Sequence, residues 1–142
     1  MAKQNAIPGV ISYGYTTPSR KYIVDGESIL IASVEIDPAS RDAGNTTLRT
    51  TYLRAGLGLG KVTANGDYKE YDNGNSDGTE TLAAILNEDV DVLDPAGNAI
   101  TTPIMAAVVI GGYIDADEII GIGAAGKTDL RNAGGWTLVE DA

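Results

Sequence analysis

Positions 52 to 71 read YLRAGLGLGKVTANGDYKEY, and this stretch limits the fold more than any other. Gly56, Gly58 and Gly60 alternate with Leu57 and Leu59. Glycine at this density opposes a helix. In a strand, successive side chains point to opposite faces, so the leucines share one face and the glycines the other. A glycine face lets a second backbone approach closely. Val62-Thr63-Ala64 and Asp67-Tyr68-Lys69 then flank Asn65-Gly66. That dipeptide supplies the positive φ a tight hairpin needs. The segment therefore predicts two antiparallel strands joined as a hairpin, with a glycine face open to a second backbone.

The rest of the chain reads mostly as strand. Lys21-Tyr22-Ile23-Val24, a turn at Asp25-Gly26 and the β-branched run 28–36 predict a hairpin. Asp37-Pro38 ends that second strand, because proline lacks the N–H that pairing requires. Residues 39–45 read as a loop and the threonine-rich 46–53 as a strand. Residues 72–79 form a polar surface loop. Residues 82–86 suit a strand or a short helix. Residues 89–93 alternate acid with Val or Leu, as a half-buried strand does, and Asp94-Pro95-Ala96-Gly97-Asn98 turns the chain. The continuous apolar run 104–110 predicts a buried central strand, and 115–120 one helical turn with acids at its start. A short helix over 128–133 is expected with Thr128 as its N-cap and Gly134-Gly135 as its end. Trp136-Thr137-Leu138-Val139 closes the chain as a last strand. The expected fold class is mainly β with minor helix, in one domain over 21–142.

Residues 1–20 differ in character. Pro8, Pro18, Gly9 and Gly14 exclude a stable helix, yet Ile7, Val10, Ile11, Tyr13 and Tyr15 make the segment too apolar for a solvating tail. Two readings suit it: an edge strand folded on its own domain, or an arm that adds as a strand to a partner's sheet.

Composition removes several function classes. Without Cys there are no disulfides or thiolate metal sites. Without His the commonest general base and zinc ligand are missing, as are Ser-His and Cys-His arrangements. A net charge of −10 opposes nucleic-acid binding, which needs a basic face. Residues 1–21 hold Lys3, Arg20 and Lys21 and no acid, whereas 70–126 hold many acids and no Lys or Arg. The acidic body reads as a solvated, repulsive surface, and the acid-free arm as the part able to meet an acidic partner. No apolar run reaches membrane-spanning length, and the N-terminus lacks a signal-peptide layout.

Three strings imitate chemical motifs. Gly121-Ile122-Gly123-Ala124-Ala125-Gly126-Lys127-Thr128 matches the Walker A pattern, whose glycine-rich loop cradles phosphates. That motif also needs a long following helix and an acid at the end of another strand. Only fourteen residues follow Thr128, and Gly134-Gly135 stops any helix early, so the string reads as a glycine-rich loop entering a short helix. Asn73-x-Asn75-x-Asp77-Gly78 opens like a calcium loop, but Ala84 stands where the bidentate acid belongs. Asp89 and Asp91 share a strand face without a sugar-binding aromatic groove beside them and read as solvent-facing acids. No catalytic residue, cofactor or metal is expected.

Several segments, in order, resemble the lambda-type bacteriophage head decoration (capsid cement) proteins. They are Leu53-Arg54-Ala55-Gly56, Gly60-Lys61-Val62-Thr63, Gly66-Asp67-Tyr68, Ala83-Ala84-Ile85-Leu86 followed by Glu88-Asp89-Val90-Asp91, Ala106-Ala107-Val108-Val109-Ile110, and the closing short helix and strand. The resemblance runs from about Leu48 to the C-terminus, and residues 1–47 depart from it, with an insertion-like loop over 37–45. It implies a compact β-clip-like or small β-barrel domain with one or two short helices and an extended N-terminal arm. It also implies a non-enzymatic protein on the outer surface of a virion capsid, bound as trimers to the major capsid protein, stabilising the shell against DNA pressure. The arm contact falls on Ile7, Val10, Ile11, Tyr13 and Tyr15. Nucleic acid, membrane and cofactors have no part in this reading. A virion-surface adhesin or carbohydrate-binding module is the alternative. It needs an exposed aromatic platform, for which Tyr68, Tyr71 and Trp136 are the candidates.

Overall fold

The structure is a computed structural model, and residues 21–139 are described. Their strands run in the order β1 (Leu30–Ile36), β2 (Tyr52–Leu53), β3 (Gly58–Lys61), β4 (Tyr68–Glu70), β5 (Ala84–Leu86), β6 (Val90–Asp91), β7 (Ile104–Asp115) and β8 (Trp136–Val139). A 3-10 turn (Ala116–Glu118) and helix α1 (Gly123–Ala133) join β7 to β8. Strands β1, β4, β3, β5 and β7 follow one another by hydrogen bonding, and β1 also pairs with β7. The five strands therefore close into a small barrel, which leaves no open edge within the ring. The mainly β expectation holds.

Closure rests on two contrasting seams. β1 runs antiparallel to β7 through seven paired positions, from Leu30 opposite Gly111 to Ile36 opposite Ile104. β1 meets β4 in parallel only at Ile36 and Tyr68, beside an amide of Asp37 that donates to the Tyr68 carbonyl at 2.8 Å. Asp37-Pro38 ends β1 where the sequence predicts.

The barrel interior holds Ile36, Leu59, Ala84, Leu86, Ala106 and Val108, and Leu53, Val90 and Val92 join it from the β2–β6 ribbon. A second core lies outside the barrel wall. There Ile85 and Val109 face Leu130 of α1, together with Tyr22, Tyr71, Leu82, Ile114, Ile119 and Ile122. β5 and the middle of β7 thus bury both faces, which is why these stretches are continuously apolar rather than alternating, while Met105 and Ile110 of β7, expected within a buried strand, are exposed.

The glycine-spaced stretch behaves as its pattern predicts. Leu57 and Leu59 enter the barrel core. A Cβ placed on Gly60 would stand 2.4 Å from the Thr79 Cα, so the backbone of the 72–79 loop lies directly on the glycine face. The β3–β4 hairpin pairs Lys61 with Tyr68, and Gly66 takes a φ of 78°. Its loop is wider than a two-residue turn: the Gly66 amide donates to the Val62 carbonyl, and Asn65 Oδ1 accepts from the Asp67 amide.

Three expectations need correction. Residues 21–24 do not form a hairpin with β1. Ile23 instead bridges Ile114, so these residues and β1 lie in succession along the same stretch of β7. Gly112, with a φ of 131°, permits this, because a Cβ there would stand 2.7 Å from the Ile29 Cα. Second, the threonine-rich stretch is strand only at Tyr52–Leu53. Third, α1 begins at Gly123, not after Thr128. Its N-cap position is Ile122, without a side-chain cap, and Thr128 lies mid-helix with its hydroxyl donating to the Ala124 carbonyl at 3.1 Å. Gly134 and Gly135, both at positive φ, end the helix as predicted.

Candidate functional site

Both ends of the described chain reach the same end of β7. The Asp115 amide donates to the Tyr22 carbonyl at 2.7 Å, and the Val24 amide donates to the Tyr113 carbonyl at 3.1 Å. On the opposite edge, β8 runs parallel to β7 with Val139 beside Asp115. One β7 strand therefore separates the point where residues 1–20 join the body from the point where the chain leaves β8. Strands in a sheet lie about 4.8 Å apart, so the two points are about 10 Å from each other.

The root of the N-terminal segment is fastened firmly. Tyr22 is buried among Ile85, Ile114 and Ile122, and its hydroxyl donates to Asn87 Oδ1 at 2.7 Å. The Gly56 backbone lies against its ring. A pull on residues before 21 would thus be carried through Tyr22 into the outer core and through Asp115 into the longest strand. The five predicted arm residues, Ile7, Val10, Ile11, Tyr13 and Tyr15, lie outside the described residues.

The motif-like strings resolve into structural roles. The Gly121-to-Thr128 string supplies the first turns of α1. Lys127, the residue that would reach a phosphate, pairs with Asp117 of the 3-10 turn. In the 72–79 loop, Asp77 Oδ1 accepts from both the amide and the hydroxyl of Thr79, and Asn75 donates to the same hydroxyl. The Thr79 hydroxyl bond chiefly holds the Asp77 carboxyl below its ordinary range. Asp89 accepts from the Ala55 amide and the Tyr52 hydroxyl, while Asp91 pairs with Arg49. These two acids pin the β2–β6 ribbon. Among the described residues no three His, Cys, Asp or Glu side chains are grouped to hold a metal ion.

The loop over 37–51 is built around buried polar groups. Asp42, 1% exposed, accepts from Arg54 Nε at 2.7 Å and Nη2 at 2.9 Å. Asn45, also buried, donates to the Tyr52 carbonyl. An isolated buried carboxylate would be costly, and the two-pronged guanidinium contact offsets that cost. A cleft of about 340 Å³ lies where this loop meets β4, with Arg41, Glu70, Asp72 and Ile120 in its wall. Burial pushes the Glu70 carboxyl above its ordinary range, against the lowering effect of the Arg41 amide it accepts.

The aromatic platform needed by an adhesin is not assembled. Tyr71 is buried in the outer core, Trp136 packs against that same core, and Tyr68 packs against the barrel interior.

The fold is a small closed β-barrel, and comparison with known proteins shows its family. The family model described as bacteriophage lambda head decoration protein D matches residues 30–111. That is more than half of the 142 residues, and the chain belongs to the bacteriophage lambda head decoration protein D family. This is a family of structural phage proteins, not of enzymes, and its members are outer-surface components of the virion capsid. No curated protein matches the chain. The match starts upstream of Leu48, so the 37–45 loop lies inside it, and it stops before α1 and β8. The matched span covers barrel strands β1, β3, β4 and β5 whole and β7 as far as residue 111.

Proposed function

We propose that this protein binds the outer surface of an expanded phage capsid as trimers and stabilises the shell against the pressure of packaged DNA. The major capsid protein is its partner, and Ile7, Val10, Ile11, Tyr13 and Tyr15 form the contact. The family match over residues 30–111 is the observation that carries this reading. The anchoring of Tyr22 in the outer core supports it, because an arm that bears load needs a rigid root. Pairing the arm with a capsid sheet edge would satisfy the backbone groups that its glycines and prolines keep out of helices. Each buried apolar side chain would contribute about 1.5–3 kcal/mol before the ordering cost. Three arms on one trimer act together, so weak single contacts become a lasting clip. The acidic body then faces solvent.

Co-sedimentation with expanded capsids lacking the protein tests this. The full chain should bind saturably, and a chain without residues 1–20 should bind far less. Undiminished binding of the shortened chain would move the contact onto the body. Failure of both chains to bind the cognate shell would overturn the capsid reading.

A further inference from the structure

The dipeptide Asn-Gly occurs at Asn65-Gly66 and again at Asn73-Gly74, and both asparagines are exposed. Asparagine before glycine is open to self-modification. The glycine amide nitrogen can attack the asparagine side-chain carbonyl carbon, because glycine has no side chain to obstruct the approach. In the sequence the two sites are equivalent. The structure separates them by what each glycine amide faces and by what holds each asparagine.

At the first site both reacting groups are engaged. The Gly66 amide donates to the Val62 carbonyl at 2.8 Å inside the β3–β4 loop. Asn65 Oδ1 accepts from the Asp67 amide at 3.0 Å. A peptide carbonyl is too weak a base to take the Gly66 proton, and turning the Asn65 side chain would break its bond to Asp67. The second site differs on both counts. The Asp72 carbonyl accepts from the Asn75 amide at 3.0 Å, which closes a turn with Asn73 and Gly74 at its centre. The Gly74 amide donates to a carboxylate, Asp72 Oδ1, at 2.9 Å. Among the described residues no partner bonds the Asn73 side chain, so it can rotate toward the next nitrogen. A placed base and an unrestrained carbonyl carbon thus serve the same nitrogen.

We propose that Asn73 is a site of spontaneous deamidation in which Asp72 is the general base. The Gly74 nitrogen bonds to Asn73 Cγ as its proton passes to the Asp72 carboxylate. The bond from Cγ to Nδ2 then breaks, and Nδ2 leaves as ammonia with that proton. The product is a cyclic imide joining residues 73 and 74. Water opens the ring at one carbonyl or the other and leaves aspartate or isoaspartate. Each event adds a negative charge to a chain of net charge −10. Isoaspartate also routes the main chain through the side-chain methylene, in the loop whose Thr79 backbone lies against Gly60. Copies of the protein therefore grow more acidic with age, and they do so at this loop.

The full chain would be aged at neutral pH in isotopically labelled water and then cleaved at lysine. Cleavage after Lys61, Lys69 and Lys127 puts the two sites on separate peptides, since residues 70–126 hold no Lys or Arg. Peptide mass spectrometry reads the replacement of the amide nitrogen by labelled oxygen, which sets ageing apart from conversion during digestion. A well-placed base contributes about 10²–10⁴-fold, so Asn73 should convert at least about tenfold faster than Asn65. In the urea-unfolded chain the two rates should come together. Asp72→Asn keeps an acceptor for the Gly74 amide but not a base. It should slow conversion at Asn73 at least about tenfold and leave both Asn65 and the melting temperature unchanged. Equal rates at the two sites of the folded chain would overturn the proposal. So would an undiminished or faster rate in Asp72→Asn, which would show that the carboxylate restrains the Gly74 amide instead of taking its proton.

Discussion

The Tyr22 hydroxyl donates to Asn87 Oδ1 at 2.7 Å across 65 positions of sequence. This contact fixes the start of the body to the residue that follows β5. Asn87 is itself buried, so removing the donor leaves an amide oxygen without its partner. Tyr22→Phe should cost about 1–3 kcal/mol in urea unfolding. No measurable loss would mean that another donor replaces the hydroxyl.

The same anchor sets where the N-terminus can be shortened. Deleting residues 1–20 should leave the unfolding midpoint unchanged, because among the described residues both cores are built from Tyr22 onward. Deleting four more residues removes Tyr22 and Ile23 and should cost about 3–5 kcal/mol, the range for losing a core aromatic side chain. Equal stability of the two truncations would show that Tyr22 does not hold the outer core.

Glycines of the β3 stretch and of the 25–29 turn should respond oppositely to alanine. Gly60→Ala drives a Cβ to 2.4 Å from the Thr79 Cα, where backbone must move, and should cost at least about 1–3 kcal/mol. Gly26 has nothing within 4 Å of its Cβ position and needs no positive φ, so Gly26→Ala should be neutral or stabilise by up to about 1 kcal/mol. Thermal melts of the two variants compare them directly.

Arg54→Ala leaves Asp42 buried without its guanidinium. Hydrogen bonds to charged groups contribute about 1.5–3 kcal/mol, and a loss in that range is expected. Asp42→Asn with Arg54 intact should cost less, because the amide oxygen can still accept. The reverse order in denaturant titrations would show that the pair is not what holds the 37–51 loop.

Glu70 should make stability depend on pH. Burial raises its carboxyl pKa in the folded chain, so folding resists its ionisation. That penalty is absent in acid, where folded and unfolded chains both carry the proton; it sets in as pH rises above the ordinary carboxylate value and is complete once the raised value is passed. Glu70→Gln should therefore gain stability relative to the parent between about pH 4 and pH 7. Asp77 works in the opposite sense: its lowered pKa stabilises above the ordinary carboxylate range and that contribution is lost as pH falls. A flat difference between the Glu70→Gln variant and its parent across this window would remove burial as the dominant influence on Glu70.

Local chemistry in the sequence determined much of this protein. The glycine and leucine alternation of 56–60, the break at Asp37-Pro38, the loop at 72–79 and the glycines after α1 each act through neighbours in the chain, and each stands where the residues place it. The order of apolar and glycine segments also carried the family resemblance that the match over 30–111 bears out. Tertiary structure decided which strands pair. Residues 21–24 have the pattern of a hairpin limb, yet they bond to β7, because Tyr22 finds a buried site beside Asn87 that a local turn cannot offer. Helix α1 begins five residues before Thr128, since Ile122 and Leu130 pack into the outer core and that burial outweighs the capping preference of a threonine. Ile110 reads as core in the sequence and stands in solvent, because the strand register places a bulge there. Closure of the barrel at Ile36 and Tyr68, the covering of both faces of β5 and the middle of β7, and the meeting of the two ends beside Asp115 all arise from contacts distant in sequence, which local propensity and periodicity do not encode.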